Sequence, residues 1–293
     1  MIAQPTFQQF SRVVGYFACT RAVEVLALQA SPILGISLSH YSLETSGMIG
    51  PVLLLFGSLS LTAHVFFTND LAGHRTDVHD PRRTTQVFTE RGISKLQVSY
   101  VATASLVLAN VAFATVGGPA LLLGAAIAIL SLLYSWSSSF GKGTSIMSSI
   151  NHLLGGTLHF LLGYTLSRPF DLNGLLVGLF FGLVFAGGHL NQEVRDYEGD
   201  LLNGIQTNAV VFGRRRTFLA SLLTFTAAYG LLASLATLGI LPRLLLWSSV
   251  LWPWHVAWSL QVLKGGLGFE TVTWMQRRYR LLFAFIGLAM LAR

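Results

Sequence analysis

The stretch His189-Leu190-Asn191-Gln192-Glu193-Val194-Arg195-Asp196-Tyr197-Glu198-Gly199-Asp200 is crowded with carboxylates in an otherwise oily chain. Read as a helix, it places Glu193, Asp196 and Asp200 at i, i+3 and i+7, so their side chains converge on one face. Like charges held that close repel one another unless a cation lies among them. Hard oxygen donors on a shared face suit Mg2+, which takes one or two carboxylates, keeps some waters and completes its shell from a phosphate. Upstream, Asn69-Asp70-Leu71-Ala72-Gly73-His74-Arg75-Thr76-Asp77 forms a second acidic stretch, with Asn69, Asp70 and Asp77 as candidate metal ligands. Either patch alone reads better as a solvated, helix-capping acidic loop. Facing each other, they would bracket a diphosphate between metals.

The elements that must position these groups are membrane spans. Charged residues make up 11% of the chain and hydrophobic residues 53%, with a mean hydropathy of +0.61; a soluble domain carries about 25% charged residues. The charges bunch between long apolar runs, as in a chain whose runs cross a bilayer. A net charge of +7 and pI near 9.9 could point to nucleic acid, but Lys and Arg beside membrane spans follow from topology and anionic lipid. Nucleic acid is therefore excluded as a partner. The single cysteine, Cys19, allows no internal disulfide and no C-x-x-C metal or redox pair. Residues 1–10 lack the charged start and apolar centre of a secretory signal, so the first span is expected to insert and stay.

The expected fold class is an all-α membrane protein with about nine transmembrane helices around a central chamber. The expected spans lie near residues 14–37, 49–68, 96–116, 119–136, 145–166, 172–190, 217–241, 244–263 and 279–292, each bounded only approximately. The chain reads as one domain, with two four-helix halves, roughly 14–136 and 145–263, whose acidic patches recur at matching places. Basic residues concentrate after the even-numbered spans, whereas the odd loops hold only Arg168 and Arg243. The positive-inside rule then puts both acidic patches and Lys142 on the cytoplasmic face, with the N-terminus inside and the C-terminus outside.

An inner mouth with metal ligands, cations and an apolar chamber suits a substrate with a diphosphate head and an oily tail. Arg75, Arg82, Arg83 and Lys142 are candidates to contact diphosphate oxygens. Arg21, inside the first span, either pairs with Glu24 three positions on or reaches the anionic substrate. Groups that take up developing charge on diphosphate ease the breaking of an allylic C–O bond, leaving a carbocation. Tyr134 is placed to stabilise that cation or bind the head group, and Phe180, Phe181 and Phe185 either line the chamber or pack outside it.

These motifs resemble the UbiA superfamily of intramembrane prenyltransferases. Asn69-Asp70 and Asp77 fall in register with that family's first motif, N-D-x-x-D-x-x-x-D, and Asp196, Gly199-Asp200, Gly204 and Thr207 with its second, D-x-x-G-D-x-x-x-G-x-x-T. Tyr134-Ser135 to Lys142 matches the loop after the fourth span, Asn151 the asparagine early in the fifth, and Arg83 with Gly92-Ile93-Ser94 an Arg and a Gly-x-Ser. The resemblance runs in order over roughly residues 14–216. It implies nine helices, Mg2+ dependence and transfer of a prenyl group from a diphosphate to a lipophilic, aromatic acceptor. By this reading Tyr134, Lys142, Asp196 and Asp200 are catalytic, and Arg21, Arg75, Arg83, Lys142 and Asn151 bind substrate. In one departure, Gly73 replaces the middle Asp of the first motif. The same ionisation closing on its own chain would make the protein a terpene cyclase, which needs no acceptor.

Overall fold

The computed structural model describes residues 7–77 and 87–292. In chain order the helices are α1 (Phe7–Leu28), α2 (Ala30–Leu38), α3 (Leu43–Ser46), α4 (Ile49–Asp77), α5 (Lys95–Val116), α6 (Gly118–Trp136), α7 (Met147–Tyr164), α8 (Leu172–Leu202), α9 (Asn208–Phe212), α10 (Arg214–Thr237), α11 (Leu251–Gly265) and α12 (Phe269–Leu291). No strand forms among the described residues. Among the described residues, six stretches are long and apolar enough to cross a membrane: Ser11–Leu38, Ile49–His74, α5, α6, α8 and α10. The remaining three expected spans correspond to α7, α11 and α12, which do not meet that measure, so the count of nine is not confirmed.

Local chemistry fixes several helix ends. Ser94 caps α5 by accepting from Gln97 N–H at 3.2 Å, while Gln97 Oε1 accepts from Ser94 N–H at 2.8 Å. This is the role of the Gly92-Ile93-Ser94 match: Gly92 adopts a left-handed φ of 69° that ends a short 3-10 helix, and Ile93 is buried. Asp171 caps α8 through Gly174 N–H at 2.7 Å.

The structure departs from the expected boundaries where polar residues continue a helix. α4 and α8 run on through the acidic stretches, well past 68 and 190, because no Pro or Gly turn interrupts their backbone hydrogen bonding. α12 begins ten residues before the expected span, so Glu270, Arg277, Arg278 and Arg280 are helical and the loop after α11 shrinks to Gly266–Gly268. The first expected span breaks at Gln29, whose Nε2 donates to Val25 O and Thr62 Oγ1 at 3.1 and 3.2 Å.

Packing is closest where glycines face backbone. A Cβ at Gly163 on α7 would lie 2.0 Å from Pro32 O on α2, and one at Gly35 on α2 would lie 2.4 Å from Phe160 O on α7. Between α7 and α8, a Cβ at Gly182 would lie 2.4 Å from Leu153 O. Such backbone approach is how helices associate where lipid removes the hydrophobic drive. The core includes Leu34, Phe160, Phe180, Tyr229, Leu232 and Ile286. Large apolar residues such as Val23, Leu122, Leu223 and Leu288 are exposed on the outer faces, as expected of lipid-facing positions.

Candidate active site

A cavity of about 1270 Å³ opens between α1, α2, α4, α6, α7, α8 and α12. That exceeds the roughly 300–1,000 Å³ of a drug-sized pocket and leaves room for a lipid tail. Asn69 and Asp70 from α4, Asp196, Asp200 and Glu193 from α8, Tyr134, Asn151, Arg21 and Lys142 all line it. Phe180, Phe181 and Phe185 line it too, as do Leu34, Leu61 and Ile127. One end is therefore acidic and basic, the rest largely apolar. Arg83 lies outside the described residues, and so do the side chains of Arg75 and Asp77.

Two of the carboxylates are each matched by an arginine. Asp70, 6% exposed, pairs with Arg21 through Oδ1, while its Oδ2 accepts from Tyr16 Oη at 3.2 Å. The partner of Arg21 is thus on α4, forty-nine positions along the chain, rather than Glu24 on its own helix. Asp196 receives both prongs of Arg195, at 2.7 and 2.8 Å, and Arg195 also donates to Gln276 Oε1 on α12 at 2.9 Å. An ion pair answers the cost of a charge held away from water. Asp200, 5% exposed, sits at the same end, and its backbone oxygen accepts from Ile205 N–H at 2.9 Å. That turn closes through Gly204 at φ 67°, a conformation glycine adopts without strain, which accounts for the glycine four residues after the acid.

Glu193 lines the cavity with both of its oxygens already in contact with protein groups. Its Oε1 accepts from Ser148 Oγ and its Oε2 from Asn208 N–H, both at 3.0 Å, and His189 Nε2 lies 3.0 Å from Oε1. These contacts turn the carboxylate into a tie between α7, α8 and α9, whereas helical spacing alone groups it with Asp196 and Asp200. Asn208 extends the tie: its Oδ1 accepts from Ile146 N–H at 2.7 Å and its Nδ2 donates to Ser149 Oγ at 3.1 Å. Ile146 has a φ of 67°, unusual for a side chain of its kind. It ends the 137–146 loop that presents Lys142, whose N–H donates to Tyr134 O at 2.8 Å. Asn151 donates to Leu130 O on α6 at 3.1 Å, so it braces the cavity wall.

Sequence reasoning missed the cavity residues contributed by α12. Arg277 and Arg280 line the cavity, as does Arg195; a helix start at Gly268, with Glu270 in its first turn, was the available signal. Among the described residues, no group of three or more His, Cys, Asp or Glu side chains lies close enough to hold a metal by itself. The donors that do share the cavity, Asn69, Asp70, Asp196 and Asp200, are all hard oxygens. They fit Mg2+ whose remaining ligands come from a diphosphate, as that ion prefers.

An apolar helical bundle around a chamber with an acidic and basic mouth defines an integral membrane protein. The chain belongs to the UbiA prenyltransferase family, whose model matches residues 31–287. The fold is that of solved UbiA homologues. A UbiA homologue from Archaeoglobus fulgidus bound to GPP and Mg2+ is 20% identical, with a TM-score of 0.69 over 95% of this chain and 99% of that one. A UbiA homologue from Aeropyrum pernix is 16% identical, with a TM-score of 0.71 over 90% and 96% of the two chains. A digeranylgeranylglyceryl phosphate synthase is 17% identical, with a TM-score of 0.70 over 96% and 98%. No curated protein matches the sequence significantly.

Proposed function

We propose that the protein is a Mg2+-dependent membrane prenyltransferase that moves a prenyl group from an isoprenyl diphosphate to an apolar, aromatic acceptor. The carrying observation is that oxygen donors from α4 and α8 line one cavity whose other walls are apolar. The family membership and the GPP and Mg2+ in the Archaeoglobus homologue support the same reading.

Asn69 and Asp70, with Asp77, would hold one Mg2+, and Asp196 with Asp200 another. A metal held by these residues would supply neutralisation of charge on a departing diphosphate. Lys142, Arg75 and Arg83 donate to diphosphate oxygens. Arg21 holds Asp70 in place while the site is empty and adds positive charge when the head group arrives. Tyr134 turns an aromatic face toward the allylic carbon, and the phenylalanine walls exclude water that would quench the cation. The mouth faces the cytoplasm, as the distribution of Lys and Arg requires.

The test is mass spectrometry of purified protein with Mg2+ and geranyl diphosphate, with and without aromatic acceptors. Mass gain on an acceptor supports transfer; a cyclised hydrocarbon made without acceptor would identify a cyclase instead. Absence of any Mg2+-dependent consumption of prenyl diphosphate would sink the proposal.

Gly73 lies one turn from both Asn69 and Asp77 on α4, at i+4 and i−4. Asn69, Asp70 and Asp77 would still hold metal with a water in place of the missing carboxylate, so Gly73→Asp is expected to keep or tighten the dependence on Mg2+. A Mg2+ titration of turnover checks this, and complete loss of activity in the variant would count against the arrangement.

A further inference from the structure

Three rings form one wall of the cavity, deeper than the acidic mouth. His152 on α7 and His189 on α8 lie face to face, with centroids 3.7 Å apart and planes inclined by 9°. Tyr134 on α6 meets both edge-on, at 5.1 and 6.1 Å. All three line the cavity. His189 is seven residues before Asp196 on α8, about 10 Å farther in along the helix axis.

Hydrogen bonding fixes the tautomer of His152. Its Nδ1 lies 2.8 Å from the backbone oxygen of Ser148. A carbonyl only accepts, so Nδ1 carries the hydrogen and Nε2 carries a lone pair. Nε2 makes no hydrogen bond to any described residue. The neighbouring ring holds His152 in register: His189 Nε2 lies against Glu193, which Ser148 and Asn208 anchor. Three other basic groups around the chamber are engaged. Asp70 is paired with Arg21, Asp196 with Arg195, and His159 Nε2 lies 2.8 Å from Ser58 Oγ. A base with its lone pair kept available, beside flat aromatic faces, is redundant for diphosphate binding. It suits a reaction that must release a proton inside the chamber.

We infer that His152 Nε2 accepts the proton released when an aromatic acceptor, its ring seated against Tyr134, His152 and His189, is alkylated. This rests on the prenyltransferase reading. The allylic C–O bond breaks and its electron pair leaves with diphosphate. A π pair of the acceptor ring forms the new C–C bond, and the ring carbon that made it loses its hydrogen as a proton to Nε2. The C–H pair returns to the ring, restoring aromaticity, and the imidazolium passes its proton to water on product release. Edge and face contacts with the three rings orient the acceptor, and general-base help of this kind contributes about 10²–10⁴-fold.

The test uses the full-length protein with Mg2+, geranyl diphosphate and a panel of phenols, each with ring hydrogens or ring deuterium, on wild type, His152→Gln and His152→Ala. The expected result is a fall in kcat of about 10²–10⁴-fold in both variants, with KM for geranyl diphosphate unchanged. A deuterium isotope effect on kcat, absent in wild type, appears in the variants because proton removal becomes slow, and added imidazole partly restores His152→Ala. Wild-type kcat in His152→Gln overturns the assignment, as does a loss with neither isotope effect nor imidazole rescue, which marks a merely structural residue. A wild type that consumes geranyl diphosphate yet alkylates none of these rings leaves His152 no ring proton to accept and overturns the assignment while leaving prenyl diphosphate as substrate. If wild type consumes no prenyl diphosphate at all, the function reading itself fails and this inference falls with it.

Discussion

Asp200→Asn is expected to lower Mg2+-dependent turnover of prenyl diphosphate on the order of 10³-fold or more while the protein still folds. Asparagine preserves the size of the side chain and removes its charge. Asp200 is 5% exposed at the mouth of the chamber, where few water molecules stand ready to replace a lost anionic donor. The turn that follows depends on its backbone oxygen, which the substitution keeps. Thermal unfolding in detergent should therefore resemble wild type. Turnover at the wild-type rate would remove Asp200 from the metal site and, with it, the principal role assigned to α8.

Gly163→Val should produce the largest loss of stability. Any Cβ at this position would lie 2.0 Å from Pro32 O, an atom of the α2 backbone that no rotamer change can move. The helices must separate, at a cost of about 3 kcal/mol or more. Separation would also disturb Leu34, a buried residue of α2 that lines the chamber. Gly155→Ala is the control on the same helix, since nothing lies within 4 Å of a Cβ there. A comparison of unfolding midpoints checks the pair. Equal midpoints for Gly163→Val and Gly155→Ala would show that the α2–α7 contact is looser than described.

What the sequence made legible was set by short-range pattern. Apolar runs and basic loops predict a membrane bundle, and the spacing of Asp196 and Asp200 predicts a shared helical face; both follow from a residue's near neighbours. The motifs also led to the right family. Partners from distant elements were another matter. Arg21 sits three positions from Glu24, yet packing of α1 against α4 delivers it to Asp70. Glu193 has the spacing of a metal ligand, but the arrival of Ser148 and Asn208 gives its oxygens other work. The facing rings of His152 and His189 arise only where α7 crosses α8, which no periodicity within either helix encodes. At α12, the charges of Glu270, Arg277, Arg278 and Arg280 look like a loop because hydropathy marks a span's apolar length rather than the helix's full extent.

The entry into α7 gives the cavity mouth a built-in latch. Ile146 is held in a strained γ-turn conformation, φ 67° and ψ −54°, that costs a branched residue on the order of 1–3 kcal/mol; Met147 N–H closes the turn on Ser145 O, and Asn208 braces it through a 2.7 Å hydrogen bond. The chain around Lys142 thus rests under tension, restrained from a helix that it precedes by some 60 residues. Cutting that restraint would let the joint swing back toward its preferred dihedrals, and the lysine would move with it. The aim of a cation at the mouth is consequently decided by an amide that never touches what the cation is aimed at.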